Sequence, residues 1–226
     1  MTSADHLVPT AGFASIETLK SGSRSDARAI ADHLAHEVHA CTRTTEGFVS
    51  AQICLSLDGT TVVRRNHWVN EKYYRTFLAS KREREDLADF PGVRSIAMFE
   101  GIPQIGLEGP ALGSPPGIIV IATRRVSGHE SSHAVLALLH KSGDWKRQFP
   151  GFISATPYIS NDGKMFVNCP MWVDRQAFDA WTADPKIADA RQEVVEQEAA
   201  PPEIVLCGLD EYIEAIDGRY SIRAPR

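Results

Sequence analysis

Gly47-Phe48-Val49-Ser50-Ala51 returns as Gly151-Phe152-Ile153-Ser154-Ala155, at an offset of 104 residues in a chain of 226. The same offset carries Asp58-Gly59 onto Asp162-Gly163 and Trp68-Val69 onto Trp172-Val173. Aligned without gaps, Gly47 to Lys72 and Gly151 to Gln176 share 10 of 26 positions. Chance would give about one or two, so the chain reads as a tandem duplication in which the fold of one copy predicts the fold of the other.

Working outward from the repeated segment, each copy shows the same local grammar. An alternating or β-branched run opens it, Phe13 to Leu19 and then Gly117 to Thr123, and both predict strands. A helix follows, with Ala27, Ile30, Ala31, Leu34 and Val38 at helical spacing in copy one and Ala134, Val135, Leu138 and Leu139 in copy two. Ser25 and Ser127 are the expected caps of these helices. Two strands joined through Asp-Gly come next, because glycine accepts the positive φ that a tight hairpin demands. A second helix starts after each Trp-Val, and a last strand is predicted at Arg94 to Phe99 and at Glu203 to Leu209.

The order β-α-β-β-α-β is that of a ferredoxin-like unit, which makes the chain α+β. A four-stranded sheet with helices on one face leaves its other face in need of cover. The two repeats are therefore expected to pack sheet to sheet, as an intramolecular dimeric α/β barrel. The expected boundaries are a polar N-terminal tail at 1–12, repeat 1 at 13–100, a Pro/Gly-rich linker at 101–116, repeat 2 at 117–216 and a C-terminal tail at 217–226.

Composition narrows the function classes. Hydrophobic residues make up 43% and charged residues 23%, the balance of a globular protein with a packed core. The net charge of -5 is spread without a Lys/Arg stripe, so nucleic acid is not an expected partner. The run Lys81-Arg82-Glu83-Arg84-Glu85-Asp86 alternates in sign and reads as a solvated helical surface. Cys41, Cys54, Cys169 and Cys207 have no metal-knuckle or redox spacing, and reduced thiols in a cytoplasmic protein are expected. Met1 to Gly12 lacks the pattern of a signal peptide, and no apolar run approaches the ~20 residues of a membrane span.

Side chains two apart on a strand share a face. In the third strand of copy two this groups Phe166, Asn168, Pro170 and Trp172; in copy one it groups Arg64, Asn66 and Trp68. Both sets put a tryptophan beside a strong hydrogen-bonding group on a face that helices cover. That pattern fits a pocket with a polar task, and it equally fits a core tryptophan with a polar neighbour reaching solvent. His33, His36 and His39 lie at helical spacing, but a metal would want a third ligand and ordered supporting partners, and no metal site is expected. His36 and His140 share the offset of 104 and are expected to line a pocket.

The segment from Asp162-Gly163 through Val167-Asn168, then Trp172, Phe178, Asp184-Pro185 and Arg191, resembles the antibiotic biosynthesis monooxygenase superfamily. Within it the likeness is to the cofactor-independent enzymes that oxidise anthrones to quinones in aromatic polyketide pathways. The resemblance implies a catalytic set of an Asn and a Trp on the third strand, a Tyr on the helix after it and an Arg on the next helix. Copy two supplies Asn168, Trp172 and Arg191, with Phe178 where the Tyr belongs. Copy one supplies Trp68 and Tyr74, with Arg64 at the Asn position, Asn66 two residues along, and Leu87 opposite Arg191 with Arg84 nearby.

The reaction so implied uses no cofactor. The partners are a small aromatic polyketide and O2, and whether the fused pair assembles further is left open. A polyketide cyclase, or a protein that binds an aromatic ligand without changing it, are the alternatives on the same scaffold.

Overall fold

The computed structural model describes residues 11–80, 90 and 92–216. The charge run at 81–86, Leu87, the first ten residues of the N-terminal tail and the C-terminal tail lie outside the described residues. The described residues form two compact units, one made of Ile102–Cys207 and the other of residues 11–101 together with 208–216.

The first repeat runs β1 (Phe13–Lys20), α1 (Arg24–Ala40), a short 3-10 turn (Thr42–Thr44), β2 (Phe48–Ser56), β3 (Thr61–Trp68), α2 (Glu71–Ser80) and β4 (Arg94–Pro103). The second runs β5 (Leu107–Glu108), β6 (Ile118–Val126), α3 (His129–Lys141), α4 (Gly143–Lys146), β7 (Phe152–Ser160), β8 (Met165–Trp172), α5 (Arg175–Ala183), α6 (Pro185–Val195) and β9 (Glu198–Glu214). The strand order β4-β1-β3-β2 in one repeat matches β9-β6-β8-β7 in the other. Two ferredoxin-like repeats are thus the architecture, as the duplication predicts.

Register repeats as faithfully as sequence. Phe48 pairs with Trp68 and Phe152 with Trp172, and each pairing is followed by the same irregularity, at Phe48/Ser50 and Phe152/Ser154. The glycine that opens each repeated motif explains itself sterically. Gly47 and Gly151 sit at φ 78 and 79. A Cβ there would come within 2.1 Å of the Tyr73 ring and 2.5 Å of the Ala177 methyl group. No side chain fits, because the helix after the hairpin closes directly on the strand entry. At the hairpin itself Asp58 accepts from the Thr60 amide at 2.9 Å and Asp162 from the Lys164 amide at 3.0 Å.

Several expectations are corrected. Ser23, not Ser25, caps α1: its extended backbone (φ -147) lets its hydroxyl accept from the Asp26 amide. Ser127 does not cap α3, whose N-cap is Gly128; its hydroxyl meets Ser131 instead. The stretch expected as a linker is partly sheet, since β4 continues to Pro103 and Leu107 pairs with Ala155 on β7. The last strand is far longer than Glu203 to Leu209. Its first part pairs with β6, from Glu198 opposite Val126 to Cys207 opposite Ile119, and beyond Gly208 it serves the other unit, where the Ala215 amide donates to Val49.

The repeat 1 core gathers Phe13, Ile30, Leu34, Phe48 and Trp68; the repeat 2 core gathers Phe152, Trp172, Trp181 and Ile187. Among the described residues no helix is long and apolar enough to cross a membrane.

Candidate active site

Repeat 2 holds an open-mouthed cavity of about 230 Å³ between its sheet and its helices. Strands β6 and β8 supply Arg124, Asn168 and Pro170; α5 and α6 supply Phe178, Trp181 and Arg191; the end of α3 and the turn of α4 supply His140 and Lys146. The period-2 pattern of β8 explains the selection: Asn168 and Pro170 face the helices, and Cys169 between them faces the other way. Of the repeat 2 residues singled out in the sequence, Asn168, Phe178, Arg191 and His140 are brought together here.

Trp172 is not on the cavity wall. It is fully buried behind it, ringed by Phe152 at 5.1 Å, Trp181 at 5.7 Å, Phe149 at 5.9 Å and Phe178 at 6.2 Å between ring centres. Its Nε1 has no hydrogen-bond acceptor among the described residues. The aromatic wall that a ligand meets is made by Phe178 and Trp181, and Trp172 stiffens it from below.

Asn168 is 7% exposed, and its amide makes no hydrogen bond among the described residues. Arg124 pairs through Nε with Glu198 at 2.9 Å, while its Nη1, sealed from solvent, has no acceptor among the described residues. Burial pulls the Arg124 guanidinium below its usual range; Glu198 opposes that shift and Arg191 adds to it, which places the two guanidinium groups within electrostatic reach of each other. His140 is tethered by its Nε2 to the Ile105 carbonyl at 3.0 Å. An unpaired amide and an unpaired guanidinium nitrogen on one wall are donors that a ligand oxygen can meet, and a buried donor costs about 1 to 3 kcal/mol when left unmet.

Sequence reasoning missed Arg124, Lys146 and Trp181. Lys146 is 8% exposed. Its Nζ lies 4.8, 5.3 and 5.7 Å from the ring centres of Phe152, Trp181 and Trp172.

Repeat 1 uses the equivalent positions differently. Arg64, in the place of Asn168, donates to Glu37 at 2.7 Å and to Glu17 at 2.8 Å. Thr42, in the place of Lys146, donates to the same Glu37 at 2.9 Å. Trp68 is fully buried against Phe48, Tyr74 and Phe77. The Tyr74 hydroxyl donates to Glu100 at 2.8 Å, and burial together with that carboxylate holds the phenol well above its usual range. Asn66 is buried with its Oδ1 lacking a donor among the described residues, and His36 stands exposed on α1.

Fold and cavity together define a protein of two ferredoxin-like repeats, the second of which carries an aromatic-walled, donor-rich pocket. Residues 117–193, which make up most of repeat 2, match the family model "Antibiotic biosynthesis monooxygenase". One relative is the tetracenomycin-F1 monooxygenase of Streptomyces glaucescens, 40% identical over 50 residues, which are 22% of this chain and 45% of that enzyme; the chain thus matches less than half of that relative's length. Among solved structures, an anthrone oxidase-like protein superposes with a TM-score of 0.77 at 14% identity over 99% of both chains. A Listeria monocytogenes ferredoxin fold protein related to antibiotic biosynthesis monooxygenases superposes with a TM-score of 0.53 at 10% identity, over 88% of this chain and 96% of that one. These two likenesses speak for the fold.

Proposed function

We propose that repeat 2 binds a planar, ionisable aromatic of the polyketide type, an anthrone or phenol, and oxidises it with O2 to a quinone or hydroxylated product. The observation that carries this reading is the grouping of Asn168, Arg191 and the unpaired Nη1 of Arg124 around one cavity walled by Phe178 and Trp181. The family match covers the same part of the chain, and the Streptomyces relative is named as a monooxygenase.

The chemistry needs little more than such a cavity. An anthrone carbon gives up a proton to form an enolate rich enough to pass an electron to O2 directly, so the substrate does what a flavin or metal does elsewhere. Asn168 and Arg124 donate to the enolate oxygen, and Arg191 adds positive charge as the anion builds up. The aromatic wall holds the ring system flat and excludes water. The carbon radical and superoxide combine into a C–O bond, and the peroxide takes a proton. Loss of the remaining C–H proton with cleavage of the O–O bond gives the ketone and water, so that CH2 and O2 become C=O and H2O. In repeat 1 the Arg64 charge is already taken up by two carboxylates, which favours repeat 2 as the working pocket.

The test is oxygen uptake with a simple anthrone, using protein assayed to be free of flavin and metal. One quinone per O2 consumed is expected. Conversion that continues without oxygen would point to a cyclase, and tight binding without conversion to a carrier of aromatic ligands; either result overturns the proposal.

A further inference from the structure

The proposed oxidation starts with loss of a C–H proton, yet the residue expected to move protons, a tyrosine, is Phe178 in repeat 2. Phe178 has no titratable group. The titratable or charged side chains lining this cavity are Arg124 on β6, His140 on α3, Lys146 on α4, Arg191 on α6 and Glu198 on β9. Two arginines keep their protons at any working pH. Glu198 is committed to Arg124, and His140, whose Nε2–H is given to the Ile105 carbonyl and whose Nδ1 stays basic, is only half-buried at the end of α3. Lys146 is the buried proton acceptor of the set, and its side chain forms no hydrogen bond or ion pair among the described residues.

Resting on the oxidation reading above, we propose that Lys146 is the catalytic base of the repeat 2 cavity, its Nζ accepting the acidic C–H proton of the bound aromatic. The fold builds the position deliberately. The one-turn helix α4 ends on Lys146, and Gly143 at its start lies so near Leu107 that a Cβ would stand 3.0 Å from both Leu107 methyl groups. With α4 seated this closely, the Lys146 Nζ lies over the rings of Phe152, Trp181 and Trp172. The nearby surfaces offer opposing influences on its charge. Burial, and then the positive charge of Arg124, push the ammonium down to about 7. The ring faces of Phe152, Trp181 and Trp172 favour the ammonium once it has formed. A base balanced near the operating pH is the one that transfers protons best.

The proton balance closes over the cycle. The C–H bond breaks, its electron pair stays on the substrate as the enolate, and the proton makes Lys146 an ammonium. That ammonium returns its proton to the peroxide anion formed after O2 adds; the restored amine takes the last C–H proton as the O–O bond breaks and hands it to the departing hydroxide, which leaves as water and frees the amine for the next cycle.

The test separates this role from the oxidation reading. An anthrone is incubated without oxygen in deuterated buffer, and hydrogen exchange at its acidic carbon is followed by NMR. Oxygen uptake is measured in parallel. Wild-type protein is expected to accelerate the exchange, and Lys146→Met to lose it at least 100-fold along with turnover. Lys146→Arg, which keeps the charge but cannot release a proton, is expected to fail equally. Binding of the quinone product, read by its absorbance shift, should persist in both variants and shows that the pocket is intact. The limb of the kcat/KM profile that rises through about 7 should vanish in any residual activity. Exchange and turnover unchanged in Lys146→Met, or fully retained in Lys146→Arg, overturn the assignment and leave the oxidation reading standing. Wild-type protein that neither exchanges nor oxidises anthrone overturns the oxidation reading, and the base role with it. With 13C-labelled lysine, a Lys146 titration midpoint in the ordinary range of surface lysines overturns the base role whatever the substrate.

Discussion

Arg124 and Glu198 meet at 2.9 Å with only 14% and 4% of their side chains exposed, joining the end of β6 to the start of β9. Away from water neither charge is tolerable alone. Glu198→Gln keeps the shape and removes the compensation, and should lower the unfolding free energy by about 3 kcal/mol in urea titrations. Arg124→Met together with Glu198→Met should recover much of that loss. If the single change costs under about 0.5 kcal/mol, the pair is solvated and Arg124 is a poor anion partner.

The contrast between Asn168 and Arg64 separates the repeats. They occupy the same position in the duplication, but Arg64 is held by Glu17 and Glu37 and Asn168 makes no side-chain hydrogen bond among the described residues. Asn168→Ala should cut kcat/KM for an anthrone by about 100-fold, the scale of one lost oxyanion donor, with little change in stability. Arg64→Met removes the cation shared by the Glu17 carboxylate and the buried Glu37 carboxylate, and its main effect should be a loss of about 3 kcal/mol in stability. Steady-state kinetics and urea unfolding of the two variants check both halves.

How far the sequence could be read follows from the same residues. The order of elements was legible because its signals are local: Asp58-Gly59 and Asp162-Gly163 fix the hairpins, and Gly47 and Gly151 mark where a helix closes on a strand. Strand alternation put Asn168 on the helix-covered face, and the resemblance to a known family, not spacing, joined it to Phe178 and Arg191. Arg124 and Lys146 could not. Arg124-Arg125 reads as a polar strand end, and Lys146 follows Asp144-Trp145 in what looks like an exposed turn. Only the folding of α4 against β7 and α5 buries the lysine, and such long-range packing leaves no periodic trace. The double use of β9 was equally hidden, since pairing partners are not written in the strand itself.

Trp172 and Trp181 should behave differently under substitution. Trp172 lies fully buried behind the wall, with Trp181 5.7 Å away between ring centres and on the wall itself. Trp172→Phe should remove about 2 kcal/mol of stability by leaving a void and change the Kd of a bound quinone by less than about threefold. Trp181→Leu removes the ring that a planar ligand would stack on, and should weaken the Kd by about tenfold. Fluorescence titration measures both; equal effects would mean that Trp172 reaches the ligand after all.

Lys146 makes stability depend on pH with a definite sign. Burial holds its ammonium at about 7 in the folded protein against an ordinary value of 10.5. Between those limits the unfolded chain keeps the proton and the folded chain releases it, so unfolding takes a proton up and stability rises with pH. The cost of burying the charge is fully present below about 7, shrinks through the window, and is gone above 10.5. Lys146→Met never carries that cost. The stability of the variant minus that of wild type should therefore be largest near pH 6 and fall with rising pH, by up to about 1.4 kcal/mol per unit within the window. Urea titrations of both proteins at pH 6, 7, 8 and 9 give the difference directly, with every other titrating group cancelling. A flat difference would mean that Lys146 ionises as it would in water, and that the rings around it are not dry.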